Sequence, residues 1–248
     1  MNVVAIIPAR MGSRRFYGKP MKKILGVPMI ERIYKNTIAS KKIDITYVAT
    51  CDREIYEHIL SIGGNAVYTK KTHERCTERT AEALIKIEKK LKKKFKLVLM
   101  IQGDEPMINY SMINAALRPF ASNKKINVVN LMTKINNIKE FKDPNEPKVV
   151  VNNCKNALYF SRCPIPSPWI IFSKKVFKQV CVIPFKRDFL LKFIKMKPSF
   201  LEKVESIDMN RIIENGFDVR MVEIKKYVKS VDTLKDLREV EKLLRLNS

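Results

Sequence analysis

Short apolar runs alternate with amphipathic segments through the first half of the chain, and this alternation constrains the fold more than any other feature. The predicted strands are Val3–Ile7, Ile45–Thr50, Ala66–Tyr68 and Leu97–Ile101, and the predicted helices are Pro28–Ala39, Glu54–Ile62 and Glu78–Lys92. Continuous apolar strands that alternate with helices are typical of a parallel sheet covered on both faces. Such sheets bind ligands beyond the carboxyl ends of their strands.

The pattern loosens after residue 127. Prolines surround a strand-like segment at Val149–Val151, Val180–Phe185 predicts one strand, and Val204–Asn215 predicts one helix that ends before Gly216. We therefore expect an α/β fold with a mixed, mainly parallel sheet flanked by helices and an inserted arm. The 248 residues are 46% hydrophobic and contain no obvious linker, so we expect a single domain over residues 1–248.

The net charge raises a different possibility. Lys and Arg number 49 against 25 Asp and Glu, which gives a formal charge of +24. Such a surplus favours nucleic-acid binding, because basic side chains release counterions from phosphates. The densest run, Lys89–Lys96, ends a predicted helix, where cations also suit the helix dipole and the solvent. Because no aromatic-interleaved basic strand or recognition-helix pattern accompanies it, we expect no nucleic-acid partner.

Cysteine usage and hydropathy bear on the compartment. The five cysteines are far apart and form no C-x-x-C pair, which disfavours a disulfide framework or a zinc site. No run of about eighteen apolar residues exists, and the first residues resemble a strand rather than a signal sequence. We expect a cytoplasmic protein with no membrane partner.

A basic, glycine-containing loop follows the first strand. The segment IIPARMGSRRFYGKP holds four cations within ten residues: Arg10, Arg14, Arg15 and Lys19. Guanidinium groups and free backbone amides bind polyphosphates. Five residues separate Gly12 from Gly18 and Pro20 replaces the metal-binding hydroxyl, so this is not a Walker A loop. A basic surface loop with no ligand remains the alternative.

Two acidic residues follow other predicted strands. Asp104 lies in VLMIQGDEP, directly after Leu97–Ile101, where a carboxylate is well placed to hold Mg²⁺ together with phosphate oxygens. A turn-capping role is the alternative. Asp232, in KSVDT, precedes the last predicted helix and by itself is typical of a helix N-cap.

Several motifs together resemble one family. They occur in order along most of the chain as IIPARMGSRRFYGKP, CTERTAE, QGDEP, DPNEPKVVV, ALYFSRCPIP and SVDT. This set resembles the bacterial CMP-Kdo synthetases, the 3-deoxy-manno-octulosonate cytidylyltransferases. The resemblance implies a glycosyltransferase-A-like nucleotidyltransferase fold, with Mg²⁺ as cofactor and CTP and an acidic acceptor as substrates. An acceptor hydroxyl would attack the α-phosphate and release pyrophosphate. The family is commonly dimeric, which implies a homodimer with the arm around Pro164–Trp169 as a plausible contact.

The resemblance also implies roles for individual residues. Catalytic residues would be Lys19, Asp104 and Asp232, of which Asp104 and Asp232 would bind the metal. Nucleotide-binding residues would be Ala9, Arg10, Ser13, Arg15, Lys19, Arg79 and Gln102. Acceptor-binding residues would be Arg162, Gln179, Glu202 and Glu205. Under this interpretation Asp232 changes from an ordinary helix cap to a metal ligand.

The chain departs from the family pattern on the acceptor side. QVCVIPF stands where the family typically has HLGIYGY, so Gln179 replaces a His and Ile183 a Tyr; Met209 replaces a Gln in LEKVESIDMNR. Losing hydrogen-bonding groups relaxes the demand for particular sugar hydroxyls. We expect the acceptor to be 3-deoxy-manno-octulosonate (Kdo) or a keto-acid sugar that differs in its distal part; a smaller acid such as a phosphonate is the alternative.

Overall fold

The computed structural model describes residues 2–13, 15–167 and 176–246. The strands of this part are β1 Val3–Ala9, β2 Lys23–Ile24, β3 Val27–Pro28, β4 Ile45–Thr50, β5 Ala66–Tyr68, β6 Leu97–Ile101, β7 Val129–Lys134, β8 Lys148–Val151, β9 Ala157–Ser161, β10 Phe177–Val180, β11 Val182–Lys186 and β12 Arg220–Ile224. The α-helices are α1 Met29–Ile38, α2 Arg53–Ser61, α3 Cys76–Leu91, α4 Tyr110–Leu117, α5 Pro119–Ser122, α6 Ile138–Lys142, α7 Arg187–Phe193, α8 Phe200–Glu205, α9 Met209–Glu214 and α10 Leu234–Arg245.

The first sheet has the strand order β11-β6-β1-β4-β5. β6, β1, β4 and β5 are parallel, and only β11 runs antiparallel to its neighbour. Every residue of β1 and β6 is buried, because α-helices cover both faces. The predicted strands and helices of the first half are confirmed within one or two residues at their ends. Because β1, β4 and β6 are parallel, their carboxyl ends lie at the same edge of the sheet.

The second sheet has the order β12-β7-β10-β8-β9, in which only β12 and β7 are parallel. The prediction of one strand at Val180–Phe185 is wrong. Cys181 separates β10, in the second sheet, from β11, in the first. The two strands thus pass the chain from one sheet to the other, and an isolated bridge between Val128 and Phe185 adds a second connection.

The prediction of one helix at Val204–Asn215 is also wrong. α8 ends at Glu205, its C-cap Ser206 has a left-handed φ of 53°, and α9 begins at Met209. A residue in the left-handed region ends the α-helical hydrogen-bond ladder. The break places Ser206 in the lining of the main cavity, which is described below.

None of the helices in the described ranges has both the length and the apolar composition needed to cross a membrane.

Candidate active site

A cavity of about 680 Å³ opens at the carboxyl edge of the first sheet. It is bounded by the loop after β1, the turn after β6, the N-terminus of α3, and the loop before α10. The residues that line it are Pro8, Ala9, Arg10, Gly12, Ser13, Arg15, Lys19, Pro20, Glu74, Arg75, Cys76, Gln102, Gly103, Asp104, Arg162, Ser206 and Asp232. The predicted loop and both predicted metal ligands thus lie in one cavity.

Asp104 and Asp232 converge on one ammonium group. Lys19 Nζ donates to Asp104 Oδ2 at 2.9 Å and to Asp232 Oδ1 at 3.2 Å. Burial opposes the charged form of Lys19, but the two carboxylates outweigh it and raise the pKa of the ammonium above its usual value. The Lys19 ammonium therefore offsets the repulsion between the two carboxylates that flank it in the cavity.

Asp232 does not cap the helix that follows it. The N-cap of α10 is Thr233, whose hydroxyl accepts from Asp236 N, while the Asp236 carboxylate accepts from Thr233 N at 2.8 Å. This reciprocal capping box satisfies the helix N-terminus and leaves the Asp232 side chain free to face the cavity. The N-cap interpretation of Asp232 is therefore wrong, and the loop is fixed by Val231 N, which donates to Asp104 O at 2.9 Å.

The basic loop brings its cations to the cavity from one side. Arg15 donates to Asp232 Oδ1 and to Asn145 Oδ1, each at 2.8 Å, whereas Arg10 donates a longer hydrogen bond to His73 O at 3.4 Å. Gly18 adopts a φ of 70°, which directs Lys19 into a short 3₁₀ turn with Pro20. Arg14 lies outside the described residues.

The turn after β6 approaches the loop after β1 closely. A Cβ added at Gly103 would lie 3.1 Å from Pro8 O, so only glycine fits there without displacement. Gln102 N donates to Cys181 O at 3.0 Å, which ties this turn to the crossover between the sheets. Ala9, Ser13 and Gln102, which are predicted nucleotide-binding residues, all line the cavity.

Among the predicted nucleotide-binding residues, Arg79 is the one that does not line the main cavity. Its side chain is buried in α3 and donates to the Thr69 hydroxyl and, at 3.2 Å, to Lys70 O. Its position indicates that it holds the segment after β5 against α3.

Arg162 and Glu205, two of the predicted acceptor-binding residues, contact each other. Arg162 Nε donates to Glu205 O and its Nη1 to Pro144 O, both at 2.8 Å. Glu205 in turn accepts from Arg162 N at 2.8 Å and from Ser161 Oγ at 2.7 Å. Arg162 reaches the main cavity, whereas Glu205 supports it from behind.

A smaller cavity of about 130 Å³ adjoins the main one, and both are lined by Arg15, Gln102, Asp104, Arg162, Ser206 and Asp232. Gln179 lines this space and donates to Asn130 Oδ1 at 2.6 Å. Gln179 and Arg162 therefore line the same small cavity as the two carboxylates.

Three other acceptor-side positions face the protein interior. Glu202 is 1% exposed and forms an ion pair with Arg211, whose Nε donates to it at 2.6 Å. Ile183 and Met209 are fully buried in one hydrophobic cluster. None of the three lines either cavity, and neither does Glu205, which lies three residues after Glu202 on α8.

The donor set fits a divalent cation with a preference for oxygen. Among the described residues, no group of three or more His, Cys, Asp or Glu side chains is close enough to hold a metal ion. Mg²⁺, however, needs only one or two carboxylates when phosphate oxygens and water complete its shell. Asp104 and Asp232, whose carboxylates both contact the Lys19 ammonium, satisfy that requirement.

Some lining residues were not anticipated from the sequence. Arg75 precedes α3 and donates to Ser206 Oγ at 2.9 Å, which connects two walls of the main cavity. Burial, followed by the charge of Asp104, raises the pKa of Glu105 to about 8. Two sequence signals could have indicated them: Arg75 directly precedes the CTERTAE motif, and Glu105 lies within QGDEP.

The comparisons with known proteins agree with this geometry. A cytidylyltransferase family model matches residues 4–232. The chain is 38% identical to the 3-deoxy-manno-octulosonate cytidylyltransferase of Fusobacterium nucleatum over 248 residues, which cover 100% of this chain and 99% of that protein. It is also 38% identical to the enzyme of the same name from Syntrophotalea carbinolica, with 99% of each covered.

Solved structures show the same relationship. A CMP:2-keto-3-deoxy-manno-octonic acid synthetase complexed with CTP superposes with a TM-score of 0.88 and 31% identity, over 100% of both chains. The 4-diphosphocytidyl-2C-methyl-D-erythritol synthase of Anaerococcus prevotii shares the fold at a TM-score of 0.63 and 16% identity, over 98% of both chains. With this fold, this cavity and full-length relatives of one name, the chain belongs to the 3-deoxy-manno-octulosonate cytidylyltransferase family and is a CTP-dependent cytidylyltransferase.

Proposed function

We propose that this enzyme transfers CMP from CTP to Kdo, requires Mg²⁺, and releases pyrophosphate. The observation that carries the proposal is the convergence of Asp104, Asp232 and Lys19 in a cavity lined by further cations. The names of the full-length relatives, and the CTP in the similar solved structure, support the same substrates.

The reaction forms one bond and breaks one. An acceptor hydroxyl oxygen bonds to the α-phosphorus of CTP, the bond from that phosphorus to the α,β-bridging oxygen breaks, and the hydroxyl proton leaves to solvent. A divalent cation held by Asp104 and Asp232 would neutralise phosphate charge and acidify the hydroxyl. Lys19, Arg10 and Arg15 supply further positive charge around the triphosphate, so most of the catalysis is electrostatic and positional.

Arg162 is the proposed partner of the acceptor carboxylate. Its Nε and Nη1 are occupied by backbone carbonyls, which fixes the plane of the guanidinium at the cavity wall. A guanidinium held in this way binds a carboxylate with defined geometry. Gln179 lines the adjoining small cavity together with Arg162 and offers an amide to the acceptor.

One observation keeps a second acceptor under consideration. Ile183 and Met209 lie in the hydrophobic core and offer no hydrogen bond to a sugar hydroxyl. The distal part of the acceptor therefore has fewer polar partners in this chain than the family pattern provides. A keto-acid sugar that differs from Kdo in that part, or a smaller acid such as a phosphonate, is the second candidate.

The test is pyrophosphate release from the pure protein with CTP, Mg²⁺ and each candidate acid. We expect release with Kdo, none without acceptor, and none after the metal is chelated. Release with another acid but not with Kdo would overturn only the acceptor. No release with any acceptor at any divalent metal concentration would overturn the proposal, and UTP in place of CTP tests the base preference.

A homodimer is the proposed assembly. β9 is an edge strand of the second sheet, and Leu158 on it is 53% exposed, which supports an interface there. Pro168 and Trp169, part of the predicted arm contact, lie outside the described residues. Light scattering at micromolar protein should give twice the 28.9 kDa chain mass, and a monomeric mass would contradict the proposal.

A further inference from the structure

The loop that carries Asp232 is tied to a buried row of alternating charges that the proposed chemistry does not use. Lys229 Nζ lies 3.3 Å from Asp236 Oδ1 and donates to Glu146 Oε1 at 2.9 Å. Glu146 Oε2 accepts from Lys178 Nζ at 3.1 Å, and Lys178 Nζ lies 2.6 Å from Glu140 Oε1. We call this row the buried ion row: Asp236, Lys229, Glu146, Lys178 and Glu140.

Asp236 connects this row to the backbone beside the metal ligand. Its Oδ2 accepts from Asp232 N at 3.1 Å and from Thr233 N at 2.8 Å, while Oδ1 faces Lys229. A carboxylate engaged at both oxygens has a fixed orientation. The direction of the Asp232 backbone therefore depends on the ammonium behind Asp236.

Lys229 also joins the loop to the second sheet. Glu146 lies just before β8 and is 3% exposed, and Lys178 on β10 is 1% exposed. On the opposite side, Val231 N binds Asp104 O. The Asp232 loop is thus held to the first sheet at Val231 and to the second at Lys229.

The charge of Lys229 is stable in this setting. Burial disfavours the ammonium, but Glu146 and Asp236 outweigh that effect and raise the pKa of Lys229 above its usual value. Without this cation, two buried carboxylates would face each other. Residues 225–233 form no strand or helix, so the loop, rather than β8, would move away.

We propose that Lys229 is a positioning residue, which joins Asp236 to Glu146 and thereby holds Asp232 where it can share a divalent cation with Asp104. This inference rests on the proposed function, in which those two carboxylates bind the metal. The α10 capping box uses Oδ2 of Asp236 and needs no contact with Lys229, so the role goes beyond forming the helix.

The test is the affinity of the enzyme for Mn²⁺ in the presence of CTP, read from the electron paramagnetic resonance signal of free Mn²⁺. Lys229→Met should weaken Mn²⁺ binding about tenfold, because Asp232 no longer meets Asp104 at the right distance. The matched control is Lys226→Met, an exposed lysine of the same loop, which should bind as the parent does.

Two further variants separate positioning from general stability. Lys229→Arg keeps the charge and should restore most of the affinity. Adding Glu146→Gln to Lys229→Met removes the repelling pair and should recover part of it. If Lys229→Met does not fold by circular dichroism, its effect is measured in the Glu146→Gln background instead.

The outcomes distinguish the inference from the proposed function. Parent-like Mn²⁺ affinity in folded Lys229→Met, with an active parent enzyme, overturns the positioning role alone. A parent that holds no Mn²⁺ with CTP and releases no pyrophosphate overturns both. Equal weakening in Lys229→Met and Lys226→Met would also contradict the inference, since the effect would then follow from net charge.

Discussion

The two sheets of this protein differ in where their charged side chains lie. The strands β1 and β6 of the first sheet bury only apolar side chains, and the charged groups gather at one edge, where Lys19 and Asp104 meet. The second sheet buries charge within itself: Lys178 on β10 is 1% exposed and is ion-paired with Glu140 and Glu146. Charges at a strand edge remain available to a ligand, whereas buried charges must be paired with each other.

The difference teaches where substitutions should act. Removing a charge at the edge of the first sheet should damage chemistry and leave the fold intact. Removing one from a buried pair around the second sheet should damage the fold or its alignment, because the remaining partner is left uncompensated. Four predictions test this division, beginning with the largest expected effect.

Asp104→Asn and Asp232→Asn should each lower kcat by at least about 100-fold, since each removes a carboxylate from the proposed metal site. The unfolding free energy should change by less than about 1 kcal/mol, because neither side chain contributes much packing. Pyrophosphate release and urea denaturation measure the two quantities. Asp218→Asn, at an exposed aspartate, is the control, and near-normal turnover in either variant would remove that residue from the metal site.

Arg211→Met should lower the unfolding free energy by about 3 kcal/mol, because it leaves the Glu202 carboxylate buried without its main partner. Turnover of the folded fraction should change little, as neither residue lines a cavity. Urea denaturation, with exposed Arg238→Met as control, measures this. A raised KM for the acceptor with unchanged stability would instead place Glu202 in the acceptor site, as the sequence predicted.

Arg162→Lys should raise the KM for the acceptor about tenfold while the KM for CTP stays within about twofold, because a lysine cannot keep the two carbonyl contacts and also present a flat fork to a carboxylate. Initial-rate kinetics at saturating CTP measure it. The control is exposed Arg118→Lys. Equal increases in both KM values would mean that Arg162 serves the triphosphate.

The smallest effect concerns Glu82, a carboxylate on α3. Burial opposes ionisation of Glu82, but Lys86, Lys70 N and His73 outweigh it and lower its pKa to about 2. A lowered folded-state pKa adds stability above the unfolded value of about 4.5, and this stability is lost as pH falls from there to about 2.

Glu82→Gln should therefore lose less unfolding free energy than the parent between pH 6 and pH 3. Urea denaturation at each pH measures the difference, and exposed Glu54→Gln should behave like the parent. A parallel pH dependence in Glu82→Gln and the parent would contradict the assignment.

The first sheet could be predicted from the sequence because its signals are local. Continuous apolar runs indicated β1, β4 and β6, and the basic loop and QGDEP turn follow two of them directly. The second half could not be predicted as well. The change of sheet at Cys181 and the helix break at Ser206 depend on packing partners far away in the chain.

The sequence by itself determined the α/β class, the cavity edge, and the family to which the motifs belong, because strand patterns and strand-end loops are properties of short segments. Only the tertiary structure decided that Thr233 rather than Asp232 caps α10, that Glu202 pairs with Arg211, and that Lys229 stands between two carboxylates. The physical reason is that the burial of a charge, and the partner that compensates it, depend on segments that only the folded chain brings together.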